Sequence, residues 1–172
     1  MWPDRIARVD LSREKIEVER TDATKKFLGG RGLGVKLLFD SMERGIDPLS
    51  PDNLLIFAIG PLTGIAPMSG RHVAISKSPL TGTIFDSSAG GFFGVELRRC
   101  NYVAIALHGT SDSPIYLVIH DNEIEIKNAE ELWGLNVKET TRILSKQGRV
   151  ACIGKAGEGQ IKLANIMSDG TH

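Results

Sequence analysis

Between Gly60 and Gly94 the sequence reads GPLTGIAPMSGRHVAISKSPLTGTIFDSSAGGFFG, mixing glycine, proline, serine and threonine with apolar spacers. Arg71 follows Ser69-Gly70 and precedes a strand-like run, HVAIS at 72–76. A guanidinium at a strand start offers a planar fork of donors that suits a phosphate or a polar heterocycle. Further on, Phe85-Asp86-Ser87-Ser88 leads into AGGFFGVELRRC. This stretch reads as a helix with Ser87 or Ser88 near the N-cap and Gly90-Gly91 in the first turn. A helix start without bulky side chains leaves N–H groups open to an anionic or carbonyl-rich ligand. Plain structural readings stand beside these: a lone arginine can be a solvated or salt-bridged one, and a glycine pair a packing feature.

Other chemistries find less support. Gly30-Arg31-Gly32-Leu33-Gly34 has the spacing G-x-G-x-G and follows a helix stop, so it is not a dinucleotide fingerprint. GKAGEG at 154–159 places its lysine directly after the first glycine and has no following Ser or Thr, so it is no P-loop. Cys100 and Cys152 are far apart and form no CxxC, which argues for reduced structural thiols. His72, His108, His120 and His172 lack metal-ligand spacing, and no Ser-His-Asp or Cys-His constellation is evident.

The elements that must position these residues come in a repeating order. RIARVDLSREKIEVER reads as a hairpin around SREK, with Ile16 and Val18 alternating against Glu17 and Glu19. Asp22 can cap a short helix that Gly29 stops, and Leu33, Leu37 and Leu38 mark one face of a longer helix. The strand LLIFAIG follows. In the second half, PIYLVIHDNEIEIK is again a hairpin, turning at Asp121-Asn122, and Asn128 can cap a short helix stopped by Gly134. Asn136 with Glu139 has capping-box spacing and opens a helix through Leu144, before the strand RVACIG. Each half then continues into a strand candidate, HVAIS at 72–76 and IKLANIM at 161–167. The expected fold is α+β, an internally duplicated domain with two mainly antiparallel β-sheets related by a pseudo-twofold, plus short helices. Two parallel βαβ units are the weaker alternative, because hairpins with short turns dominate.

The chain has 172 residues, with 21 basic and 21 acidic side chains and a formal net charge of zero. This argues against general nucleic-acid or anionic-membrane binding. No apolar run approaches the roughly 20 residues of a bilayer span, and MWPDRIARVD lacks the apolar core of a signal peptide. A cytoplasmic location is expected.

LGGRGLGVKLLFD (28–40), DPLSPDNLLIFAIGPLTG (47–64), SGRHVAISKSPLTG (69–82), SSAGGFFGVELRR (87–99) and IGKAGEGQIKLANIMSDG (153–170), in this order, resemble the N-terminal domain of the aldehyde ferredoxin oxidoreductase family. The resemblance runs along essentially the whole chain. It implies a single domain over 1–172, a base of two sheets on which a tungsten (or molybdenum) bis-pterin cofactor lies. The repeats read above span about 4–80 and 112–170, with a cofactor-facing connection at about 81–111. Such enzymes oxidise aldehydes to carboxylic acids and pass electrons through a 4Fe-4S cluster to ferredoxin. By the resemblance, Arg71 bonds the pterin, and the Ser88 main-chain carbonyl takes a magnesium ion that joins the two pterin phosphates. Serine there departs from the asparagine of the best-known members, so only a backbone role carries over. Gly90 contacts the cofactor through its backbone, flanked by Ala89 and Gly91. No catalytic residue is assigned. The cluster cysteines and the groups beside tungsten belong to later, largely helical domains, so the chain alone is not expected to turn over aldehydes. Implied partners are those domains or a companion chain, ferredoxin for the complete enzyme, and a second copy in a homodimer. A reading from another class is a non-catalytic scaffold module that binds a partner chain. A plain nucleotide-binding domain rests on the glycines alone.

Overall fold

The computed structural model describes residues 2–171, so Met1 and His172 lie outside the described residues. The chain opens on a hairpin, β1 (Arg5–Asp10) and β2 (Lys15–Arg20). Then come α1 (Ala23–Phe27), α2 (Gly30–Ser41), β3 (Leu55–Ile59), β4 (His72–Lys77), β5 (Ile84–Ala89), α3 (Phe93–Arg99) and β6 (Tyr102–His108). The six strands form one sheet in the order β2-β1-β6-β3-β4-β5. The β1–β6 contact is parallel and every other ladder is antiparallel. Tyr102 through Ile105 and Ala106 of β6 are buried, as an unbroken apolar run requires when both faces of a central strand are covered. The edge strand β5 reads IFDSSA and is largely exposed. Its polar residues blunt an edge that would otherwise invite another strand.

The stripe of Leu33, Leu37 and Leu38 packs α2 on this sheet. A Cβ at Gly34 would lie 2.3 Å from Ile75 Cδ1, so helix and sheet approach closely there. α3 meets the opposite face: a Cβ at Gly94 would lie 3.1 Å from His72 Cβ. Pleat alternation turns His72 and Ile75 to different sides of β4.

The second half begins with the hairpin β7 (Ile115–His120) and β8 (Glu123–Asn128). Asp121 (φ 43°) and Asn122 (φ 73°) supply the two left-handed residues that a tight hairpin turn needs. Leu117, Ile119, Ile124 and Ile126 pack on the core, and the Tyr102 hydroxyl donates to the Asn122 carbonyl at 2.7 Å. A 3₁₀ turn (Glu130–Leu132), α4 (Val137–Leu144), β9 (Ala151–Cys152), α5 (Lys155–Glu158) and β10 (Met167–Ser168) follow. The protein is thus α+β, with mainly antiparallel sheets. Hairpin, short helix, longer helix and strand recur in the same order in both halves.

Two expectations change. IKLANIM is not a strand over 161–167: only Met167 and Ser168 pair, with β9, while residues 161–164 turn and 165–166 are irregular. The Ala164 N–H donates to the Ile161 carbonyl, which spends on a turn the backbone groups a ladder would use. The Asp22 side chain makes no cap bond; it pairs with Lys25 at 2.7 Å, and the Thr21 hydroxyl accepts from the Ala23 N–H instead.

The Asn136–Glu139 capping box is present, with the Glu139 N–H on Asn136 Oδ1 at 3.0 Å and the Asn136 N–H on Glu139 Oε2 at 3.1 Å. Asn136→Ala is expected to cost about 1 kcal/mol. A urea melt, with an unchanged slope and a lower midpoint, checks it.

Candidate functional site

The β4–β5 ladder pairs His72 with Ala89 and Val73 with Ser88. Continued by one step, the register brings Arg71 opposite Gly90. The chain crosses itself just beyond: a Cβ at Gly70 would lie 2.1 Å from the Gly91 carbonyl oxygen. A Cβ at Gly94 would meet the carbonyl oxygens of Arg71 and Gly70 at 3.2 Å each. Arg71, Gly90 and Gly91 therefore share one end of the sheet, and Ser88 and Ala89 lead into it along β5. By the pleat, Ser88 faces the same side as Val73 and α2.

The expected helix start is displaced. Ser87, Ser88 and Ala89 belong to β5, not to an N-cap, and α3 begins at Phe93 with Phe92 in the cap position. Gly90-Gly91 is the turn between them, and Gly91 has φ 81°. The reason is tertiary. β4 offers FDSSA a full ladder of backbone partners, which outweighs one serine cap bond.

The Arg71 backbone is held while its side chain is free. The Thr63 hydroxyl donates to the Arg71 carbonyl at 2.9 Å and accepts from the Gly60 N–H at 3.2 Å. Arg71 itself is exposed, and among the described residues its guanidinium has no hydrogen-bond or ion-pair partner. Arg98 stacks on Trp2 at 5.1 Å and donates to the Pro61 carbonyl, and Arg149 stacks on Phe92 at 4.8 Å. None of these three arginines has a carboxylate partner among the described residues, so this end of the sheet is cationic. Leu62, Ile65, Met68 and Phe92 are exposed on the same loops.

On the α3 face, His72 is buried among Phe57 and Phe93, with ring centroids at 6.1 and 4.9 Å. Its Nε2 hydrogen-bonds Ser168 Oγ at 3.2 Å, across 96 residues of sequence. Burial pushes the imidazole below the ordinary histidine range, and Asp169 opposes that in part. A folded pKa lowered below the unfolded value means the unfolded chain takes up the proton first as pH falls. His72 therefore contributes stability that is fully present above about pH 6.5 and is lost as pH drops toward the folded value. In thermal melts below pH 6.5, wild type is expected to lose stability more steeply than His72→Gln; parallel curves would assign the slope to other groups.

Cys100 and Cys152 are free and half-buried, and burial raises both thiols. Among the described residues no group of three His, Cys, Asp or Glu could hold a metal ion. Two hollows, of about 400 and 360 Å³, are lined by Asn136, Lys138 and Gly154, and by Arg8, Glu43, Asp52 and His108. Neither of these two hollows includes Arg71 or Gly90. Thr63, Arg149 and Ser168 escape sequence reasoning. Only the MSDG run at 167–170 hints at Ser168, and nothing local marks the other two.

The donor set fits an anionic, heteroatom-rich group: a free guanidinium, a glycine crossing that a Cβ would fill, and polar backbone on an edge strand. The family model described as aldehyde ferredoxin oxidoreductase, N-terminal domain, matches residues 6–172. A tungsten-containing aldehyde ferredoxin oxidoreductase of Pyrococcus furiosus is 46% identical over 96% of this chain and 29% of its own length. The WOR-like subunit of an aliphatic sulfonate oxidoreductase from the same organism is 36% identical over 95% of this chain and 30% of its own. Among solved structures, the active site complex BamBC of benzoyl coenzyme A reductase, in complex with 1,5 dienoyl-CoA, superposes with a TM-score of 0.91. It is 37% identical and covers 98% of this chain, which spans 27% of that one. The chain belongs to the aldehyde ferredoxin oxidoreductase family, as its N-terminal domain. It spans less than a third of the length of the curated relatives it matches.

Proposed function

We propose that this domain seats a tungsten bis-pterin cofactor in a larger enzyme that oxidises aldehydes to carboxylic acids with ferredoxin as acceptor. The observation that carries this reading is that Arg71, whose guanidinium has no partner among the described residues, leaves β4 at the end of the sheet where Gly70 crosses the Gly90-Gly91 turn. Arg71 holds the anionic edge of the pterin, and the backbone of Ala89, Gly90 and Gly91 lines its approach. The Ser88 carbonyl is the magnesium ligand in this reading. An exposed edge strand has main-chain oxygens to spare for a hard cation. The bound cofactor supplies the two-electron chemistry at its metal, while the protein orients it and sets its charge environment. The aldehyde assignment leans on the 46% identity, since the fold is shared with a benzoyl coenzyme A reductase complex. The two repeats, their connection at 81–111 and the pseudo-twofold belong to the same reading. So do the later helical domains, their iron–sulfur cluster, a homodimeric state and a cytoplasmic location. No described helix is long and apolar enough to cross a membrane.

The test is the full-length protein produced with tungstate. Metal analysis is expected to find tungsten in the purified protein, and aldehydes to drive reduction of a viologen dye. Protein free of tungsten after expression with tungstate, with no aldehyde-dependent dye reduction, overturns the reading.

A further inference from the structure

We infer that His72 is a positioning residue for the Arg71 guanidinium and that its tie to Ser168 is what makes it one; the inference rests on the cofactor-seating reading. His72 is the first residue of β4 and directly follows Arg71. It is 2% exposed and Ser168 is 1% exposed, so their bond is sheltered from water. The peptide linking Arg71 to His72 is therefore pinned twice. On one side the Thr63 hydroxyl holds the Arg71 carbonyl, and on the other the His72 ring is held by Ser168. Ser168 is itself held: it pairs with Ala151 in the β9–β10 ladder. The next residue, Asp169, donates its N–H to the Val150 carbonyl at 2.7 Å and accepts from the Val150 N–H at 3.1 Å. The second half of the chain thus fixes the backbone from which Arg71 projects.

The polarity of this cluster is what singles it out. His72 packs against the Phe57 and Phe93 rings and against Gly94, where an apolar side chain of similar size would pack. Its Nδ1 and the Asp169 Oδ2 are both buried without a hydrogen-bond partner among the described residues. Unpaired buried polar atoms cost stability, so the cluster is a poor device for stability alone. A hydrogen bond does what apolar packing does not: it sets one direction and one register. Here it orients the peptide that carries Arg71 into the end of the sheet where the β4–β5 register leads to the Gly90 turn.

Two substitutions at the same site separate positioning from packing. His72→Phe keeps ring packing and loses the bond to Ser168. His72→Gln loses the ring but keeps a side-chain amide able to reach the Ser168 hydroxyl. Ser168→Ala removes the bond from the other end with little change of volume. In the tungsten-loaded full-length protein, release of tungsten into a chelator is expected to be about tenfold faster for His72→Phe and Ser168→Ala, the scale of one sheltered hydrogen bond. His72→Gln is expected to release within about threefold of wild type, although it melts at the lowest temperature of the set. Hydrogen exchange gives an independent readout: in Ser168→Ala the amides of residues 71–74 and 167–170 are expected to speed up together. Tungsten retention that follows melting temperature, with Phe holding and Gln releasing, overturns the positioning role. If Arg71→Ala releases tungsten while His72→Phe and Ser168→Ala hold it, the seat stands and only this inference falls. If Arg71→Ala itself holds tungsten as wild type does, the seating reading falls and the inference falls with it.

Discussion

Arg71→Ala in the full-length protein is expected to weaken cofactor retention about a hundredfold. The figure follows from two charge-assisted hydrogen bonds lost from one guanidinium fork, at about 1.5 kcal/mol each. Stability is expected to change by less than about 0.5 kcal/mol, because the side chain is exposed and without a partner among the described residues while its backbone is held by Thr63. The two readouts therefore separate: tungsten per protein falls while the thermal midpoint stays. Arg71→Lys keeps the charge but not the planar fork, and is expected to lie between wild type and alanine. A normal tungsten content in Arg71→Ala at wild-type stability removes Arg71 from the seat.

Gly70→Ala is the second large effect, and it acts on the frame. An added Cβ would sit 2.1 Å from the Gly91 carbonyl oxygen. Neither group is a flexible side-chain tip, so one of two chain segments must move. A cost of about 2–4 kcal/mol is expected, lowering the melting temperature by roughly 5–15 °C for a chain of this length. The displacement also separates Arg71 from the Gly90 turn, so cofactor retention falls with stability, unlike the Arg71 variants. Gly148→Ala is the matched control. A Cβ there meets nothing within 4 Å, so its effect is expected to be neutral or slightly stabilising. Equal melting temperatures for Gly70→Ala and wild type would show that the two segments do not cross as closely as described.

The exposed Leu62, Ile65, Met68 and Phe92 surround the same site. Exposed apolar side chains of this size, beside arginines with no carboxylate partner among the described residues, suit a surface that meets another group.

Much of the local structure was legible in neighbouring residues. The hairpins at 5–20 and 115–128 follow from alternation and from Asp121-Asn122, which tolerate the left-handed turn. The Leu33, Leu37 and Leu38 stripe is a helical period, and the Asn136 box is a spacing of three. These signals lie within a few residues of one another, so short-range geometry decides them. The ordered motifs likewise carried the family, and with it the candidates Arg71, Ser88, Ala89, Gly90 and Gly91.

Other features required the fold. FDSSA reads as a helix entry, and the presence of β4 alongside makes it a strand instead. IKLANIM has a strand's composition, but most of it finds no partner and turns. The crossing of Gly70 over Gly91, the Thr63 clamp, Arg149 over Phe92 and the His72–Ser168 bond join residues from 8 to 96 positions apart. Such pairings depend on which surfaces meet once the chain collapses. Adjacent side chains carry a period and a cap, but the partner of a backbone group or a buried ring is chosen by packing.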